Sequence, residues 1–224
     1  MKKRLLAIGL SVVVFACSNS GTKDSTASDT GAHSEPHAAH TGPESPATIE
    51  TTSAQGQSMM GLMHANMNQM KAVPSTGNPD TDFATLMKVH HQGAVDMAHL
   101  LLAKGTDPKL KQMAQRMITS QQNEIAAFSN ILNSNLPTNS SGDDFYKETM
   151  KGMDNMHMDM DQSGSVDKQF VQMMIPHHQG AIDMSGTYLK SGAKNNQLKK
   201  MATAIIADQQ KEITEMQAWL NNNK

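Results

Sequence analysis

Two stretches of this sequence set a pair of adjacent histidines among methionines: Leu86–Ala98 (LMKVHHQGAVDMA) and Met173–Ser185 (MMIPHHQGAIDMS). At about 100° per residue in an α-helix, Met87, His90, His91 and Met97 fall within about 120° of one another. Met174, His177, His178 and Met184 repeat that spacing. A thioether beside an imidazole is a ligand set suited to Cu(I) and ions like it. Imidazole alone serves zinc or iron equally well, and carboxylates serve harder ions. The stripe carries no carboxylate. The plain alternative is that methionine, flexible and apolar, simply fills a core. Composition does not decide: there are 20 methionines against 4% aromatic residues. Position argues for ligands. One histidine on an apolar face is ordinarily a hydrogen-bonded core residue, but here four occur, in matching pairs, each beside methionine. A further group, Met60, Met63, His64 and Met67, follows helical spacing through a segment almost without Leu, Ile or Phe, so core filling accounts for it less well. Thioethers bind metal without losing a proton and form no disulfides, which suits an exported metal binder, although they can be oxidised to sulfoxides.

The elements that must position these groups form a repeat. His90 and Met97 recur as His177 and Met184, 87 residues on (177 − 90, 184 − 97). Met113, Gln121, Glu124 and Ile125 recur as Met201, Gln209, Glu212 and Ile213 at an offset of 88 (201 − 113). Met60, Met63, His64 and Met67 recur as Met153, Met156, His157 and Met160 at 93 (153 − 60), the difference falling in the longer loop at 71–81. Three matched blocks in one order mark a duplication. The candidate metal ligands are therefore Met60, Met63, His64, Met67, Met87, His90, His91 and Met97 in copy one. In copy two they are Met153, Met156, His157, Met160, Met174, His177, His178 and Met184. Each copy is expected to hold its own cluster.

Apolar residues recur with helical periodicity throughout, and strand patterns are missing. Four long helices are expected, roughly at 82–104, 107–133, 167–191 and 194–222, in a bundle with short antiparallel connections. Two short Met-rich helices should pack at its ends or flanks. Thr106 is expected to cap the helix that opens with Pro108, and Gly105 to end the preceding one. Pro176 should kink its helix and free a carbonyl near Gln172. Gly93 and Gly180 would permit close helix approach, and Asp96 and Asp183 read as solvated. Gln121 with Glu124, and Gln209 with Glu212, lie on or beside the inner face. There an amide or carboxylate can accept an imidazole N–H and fix the ring, the alternative being a side chain that reaches solvent.

The N-terminus reads as a targeting segment. Lys2, Lys3 and Arg4 precede an apolar run, Leu5–Ala16, too short for an ordinary membrane-spanning helix. Residues 1–16 are expected to be a signal peptide. Cys17, the single cysteine, stands where a bacterial lipoprotein is cut and acylated, ordinary cleavage after Ala16 being the alternative. Residues 18–57 are rich in Ser, Thr, Gly, Ala and Pro and read as a tether carrying His33, His37 and His40. They are either chance histidines or a weak delivery site. The metal-binding domain then covers 58–224, with copy one at 58–134 and copy two at 150–222. A net charge of −2 supplies no field that argues for nucleic acid or an anionic membrane surface.

The motif M-x-x-H-H-Q-G-A-[VI]-D-M, followed by M-A-x-x-[IM]-I-x-x-Q-x-x-E-I, resembles the family described as "domain of unknown function 305" over about Met59–Leu220. The resemblance implies an all-α, ferritin-like four-helix bundle and a periplasmic or cell-surface copper-binding protein. It further implies copper or silver binding for metal tolerance, and the thioether–imidazole sets favour Cu(I), with Cu(II) or Ag(I) as alternatives, sequestered or carried. His90, His91, Met97, His177, His178 and Met184 match the family motif. A copper exporter or metallochaperone would be the partner. Three rivals remain. A di-iron bundle wants Glu-x-x-His on inner faces, which the sequence lacks. Non-covalent haem could take one Met and one His. A scaffold could bind partner helices on its Met-rich faces. No nucleophile–base pair or phosphate loop is visible, so no enzyme activity is expected.

Overall fold

The computed structural model describes residues 58–134, 136, 142–154 and 163–223. Six helices follow in order: α1 (Met59–Ala72), α2 (Pro79–Lys104), α3 (Pro108–Asn133), α4 (Asp144–Asp154), α5 (Val166–Lys190) and α6 (Asn196–Asn222). No strand occurs among the described residues, and none of the described helices is long and apolar enough to cross a membrane.

Local signals set the helix ends. Ser58, Asn78, Asp107, Ser165 and Asn195 each turn a side-chain oxygen onto an N–H of the first turn, satisfying donors the helix itself cannot pair. Pro79 and Pro108 sit in the first turn, where a missing N–H costs nothing. The cap of α3 is thus Asp107 and not Thr106, whose N–H and hydroxyl are both engaged elsewhere. Pro176 stands inside α5, which runs on unbroken to Lys190.

α2 and α3 form one antiparallel hairpin, and α5 and α6 form the other. α2 packs on α5, and the short helices α1 and α4 both contact α2 and α5. Reciprocal contacts at the hairpin mouths fix α2 and α5 as antiparallel. Asp80, at the start of α2, accepts the Tyr188 hydroxyl (2.6 Å) and the backbone N–H groups of Lys194 and Asn195 (3.2 Å). Asp167, its counterpart on α5, accepts the Thr106 N–H (3.0 Å), the Thr106 hydroxyl (2.8 Å) and the Asp107 N–H (3.1 Å). Each copy's carboxylate therefore closes the other copy's hairpin. Both are almost fully buried. Burial raises the Asp167 carboxyl, the Thr106 and Asp107 donors lower it, and the balance leaves it below the ordinary value. Burial and the Asp80 carboxylate push the Tyr188 phenol up.

The interior has two packed regions. One joins Met60, Met63, Met97, Met113, Met117, Met173, Met174 and Met216 with Leu100, Leu101 and Phe170. The other gathers Met70, Met87 and Met184 around scarce aromatics. There Phe83 stacks on Tyr188 (4.0 Å) with Phe128 and Phe145 edge-on. Each such side chain, fully buried, contributes roughly 1.5–3 kcal/mol over exposure. Because α2 and α5 run oppositely, Met87 of copy one shares a region with Met184 of copy two, and Met97 with Met174. The methionines are sorted by level along the bundle, not by copy.

The second short helix differs from expectation. α4 begins at Asp144, held by buried Phe145 and Thr149 one turn apart, and ends at Asp154. The helix therefore opens well before the methionine block, of which Met153 lies within it. Met156, His157 and Met160 lie outside the described residues, as do Cys17 and the tether histidines.

Candidate metal centre

The two histidines of each pair face different ways, because adjacent helix positions are 100° apart. His91 and His178 point toward the outer helices of their own hairpins. His91 Nε2 lies 2.6 Å from Glu124 Oε2 on α3, and His178 Nε2 lies 2.7 Å from Glu212 Oε2 on α6. Both rings are completely buried while the glutamates are partly exposed. Each carboxylate accepts the Nε2–H and orients the ring, as the sequence suggested for these glutamates. Gln121 and Gln209 are buried beside them, and their Oε1 atoms have no partner.

His90 and His177 turn instead toward α1 and α4 and meet each other across the copy boundary, ring centroids 3.8 Å apart. They border a cavity of about 530 Å³. Met63, Met67 and Met70 from α1, Met153 from α4 and Met184 from α5 also line it, with Asp183 and Glu148 among its polar lining. Asp183 is exposed, with Gln179 donating to it, whereas Asp96 is half-buried and burial raises its carboxyl. Burial, then the charges of the neighbouring histidines, hold both His90 and His177 well below the ordinary imidazole value. They are neutral rings at neutral pH and thus have a lone pair to give.

Among the described residues no three His, Cys, Asp or Glu side chains form a metal-holding group. A site for zinc or a hard ion is not assembled there. A soft site that completes its ligand set with thioethers is compatible with what the cavity offers. The Nδ1 atoms of His90, His91, His177 and His178 are all buried and without a hydrogen-bond partner. Buried polar atoms are normally satisfied, so four orphaned ring nitrogens at the centre of one bundle fit a group that accepts lone pairs.

The sequence-predicted residues divide as follows. Met63, Met67, His90, Met153, His177 and Met184 line the cavity. Met60, Met87, Met97 and Met174 are buried in the two packed regions and do not line it. His64 is exposed. Two further polar or thioether residues of the cavity, Met70 and Asn66, are not among the sequence-derived candidate ligands, although helical spacing already sets Met70 on the methionine face. Met70 extends the stripe of α1 by one turn, and Asn66 is a buried polar residue on that same stripe. Asn66 lies over Gly93, where any Cβ would overlap its amide, so the expected close approach at Gly93 is to α1.

A family model, "Domain of unknown function (DUF305)", matches the chain twice, over residues 22–132 and 133–220. The chain belongs to the DUF305 family. Among solved structures, it is similar to CopM in its Ag-bound form: 29% identity, covering 64% of this chain and 96% of that one, TM-score 0.51. A DUF305 protein from Streptomyces coelicolor shares the fold at 23% identity, covering 66% of this chain and 95% of that one, TM-score 0.54. An uncharacterised protein, L153, of Acanthamoeba polyphaga mimivirus is 45% identical over 58 residues, which are 26% of this chain and 38% of the relative's length. The DUF305 double match coincides with the two halves that the reciprocal aspartates join.

Proposed function

We infer that this protein is an exported binder of Cu(I), and of Ag(I) or Cu(II) less specifically, that sequesters or carries the metal. The observation that carries this reading is the cavity where thioethers of α1, α4 and α5 meet two neutral, buried imidazoles with unpartnered Nδ1 atoms. The likeness to CopM, a protein solved with silver bound, supports it, since Ag(I) is a soft ion with the same ligand preferences as Cu(I). His90, His177, Met63, Met67, Met70, Met153 and Met184 are the donors we favour. His91 and His178, oriented by Glu124 and Glu212, stand beside them. A lipid anchor at Cys17 and a flexible tether would hold the domain at a membrane of the periplasm or cell surface, within reach of a copper exporter or metallochaperone. The role is binding for metal tolerance, and we assign no catalysis.

Competition titration against a Cu(I) chelator, under reducing conditions, tests the reading. The mature protein should take Cu(I) far more tightly than zinc. Met67→Leu with Met184→Leu should leave helicity intact, because the exchange nearly conserves volume and costs under ~1.5 kcal/mol where the residue only packs. It should weaken Cu(I) binding at least tenfold. Met97→Leu, away from the cavity, should change it little. Equal zinc affinity, or full copper affinity in the double leucine variant, would refute the proposal.

A further inference from the structure

Asn66 is 4% exposed and lies between α2 and the His177 ring. Its Nδ2 donates to the Val89 carbonyl at 2.8 Å, and its Oδ1 is 3.4 Å from His177 Nε2. The short bond decides which end of the amide faces which neighbour. Turned over, the amide would set oxygen against the Val89 oxygen, two acceptors at hydrogen-bond distance with no proton between them. Oδ1 must therefore face the ring, and an amide oxygen only accepts. The neutral His177 ring must bring Nε2–H to it, which leaves the lone pair on Nδ1. That is the polarity already seen at His91 and His178, where a glutamate oxygen meets Nε2 and Nδ1 stays bare.

We propose that Asn66 is a positioning residue that holds His177 as its Nε2–H tautomer, so that a soft metal ion is taken at Nδ1. This rests on the metal-binding reading above. The partner on the far nitrogen fixes both the tautomer and the ring direction of a ligating histidine. Asn66 rides on α1 between Met63 and Met67, so one helix supplies the thioethers and sets the donor atom of the imidazole. Seating α1 presents both ligand types together.

The test uses ¹⁵N-histidine-labelled protein and Ag(I), a diamagnetic probe. In the metal-free protein, ¹⁵N–¹H correlation should show His177 protonated at Nε2, and Ag(I) should shift its Nδ1 resonance. Asn66→Leu should lose that tautomer preference and weaken Ag(I) binding by ~10–100-fold. Asn66→Asp keeps an acceptor opposite Nε2 and so should keep the tautomer, but it sets its second oxygen against the Val89 carbonyl and should lower the thermal midpoint. Circular dichroism confirms that each variant is folded. A wild-type His177 protonated at Nδ1, silver bound through Nε2, or an unchanged tautomer in Asn66→Leu would overturn the proposal. If Asn66→Leu does not fold, wild type and Asn66→Asp decide the tautomer and the donor atom alone. Wild-type protein that takes up no Ag(I) would sink the metal reading, and with it the role of Nδ1. The metal-free tautomer comparison would still judge Asn66 separately.

Discussion

The α2–α3 and α5–α6 hairpins repeat one another in their principal buried polar contacts, whereas α1 and α4 do not. In the hairpins Asp80 answers Asp167, Gln92–Asp96 answers Gln179–Asp183, and His91–Glu124 answers His178–Glu212. α1 brings three thioethers and Asn66 to the cavity, while α4 anchors itself by Phe145 and brings Met153. Buried polar groups at the bundle centre must each find a partner, so a duplicated sequence keeps them in register. The short helices carry less of that obligation and are where the two copies diverge. The frame is symmetric, and the access to it is not.

The largest expected effect tests the symmetric half of that contrast. Asp80→Ala and Asp167→Ala each strand several buried donors, at about 1–3 kcal/mol per group. Each should lower stability in urea by about 3 kcal/mol, and the two losses should agree within about 1 kcal/mol. A large inequality would mean the two mouths are not equivalent. Because the folded Asp167 carboxyl lies below its unfolded value of 3.8, its contribution is complete above about pH 4 and is lost as pH falls through the lowered value.

The histidine stack comes next. His90 and His177 have folded values well below the unfolded 6.5, so between those limits the unfolded chain binds more protons. Stability should be flat above about pH 7 and fall as pH drops below 6.5, by about 1.4 kcal/mol per ring for each unit of lowering. His90→Gln and His177→Gln should each remove part of that acid slope. Denaturation midpoints across pH 4–8 measure it, and an unchanged slope in both variants would break the assignment.

The smallest effects probe the unlike helices. Gly93→Ala pushes a methyl group into Asn66 of α1 and should cost about 1–3 kcal/mol. Gly186→Ala, in α5 with nothing within 4 Å of the added carbon, should stabilise by about 0.5–1 kcal/mol through helix propensity. Thermal midpoints that move in the same direction would refute the difference.

Much of this was legible beforehand. The four long helices stood within a few residues of their places, because periodicity and caps are local signals. α2 starts at Pro79, earlier than the apolar periodicity predicts, because Asn78 caps it and Pro79 fits its first turn. What periodicity cannot tell is which helix a face meets. The inward faces of Met87 and Met97 were visible, but only the antiparallel crossing of α2 and α5 sends one to Met184 and the other to Met174. Separate clusters in each copy were expected for that reason, and the histidine stack across the boundary was not. The early start of α4 is not legible in the repeat, because its anchor, Phe145, belongs to no repeated block. Asn66 carries a local signal of its own: a polar residue on an apolar stripe, where a partner must exist.

The crossed carboxylates also bear on how the chain can be divided. Each half carries the group that finishes its neighbour's turn, so neither half alone has a closed mouth or a second imidazole to stack upon. A chain severed between α3 and α4 should still reassemble from its two fragments. A lone half should seek a twin of itself, recovering by reciprocal antiparallel pairing the kind of contacts that the longer polypeptide makes within one molecule.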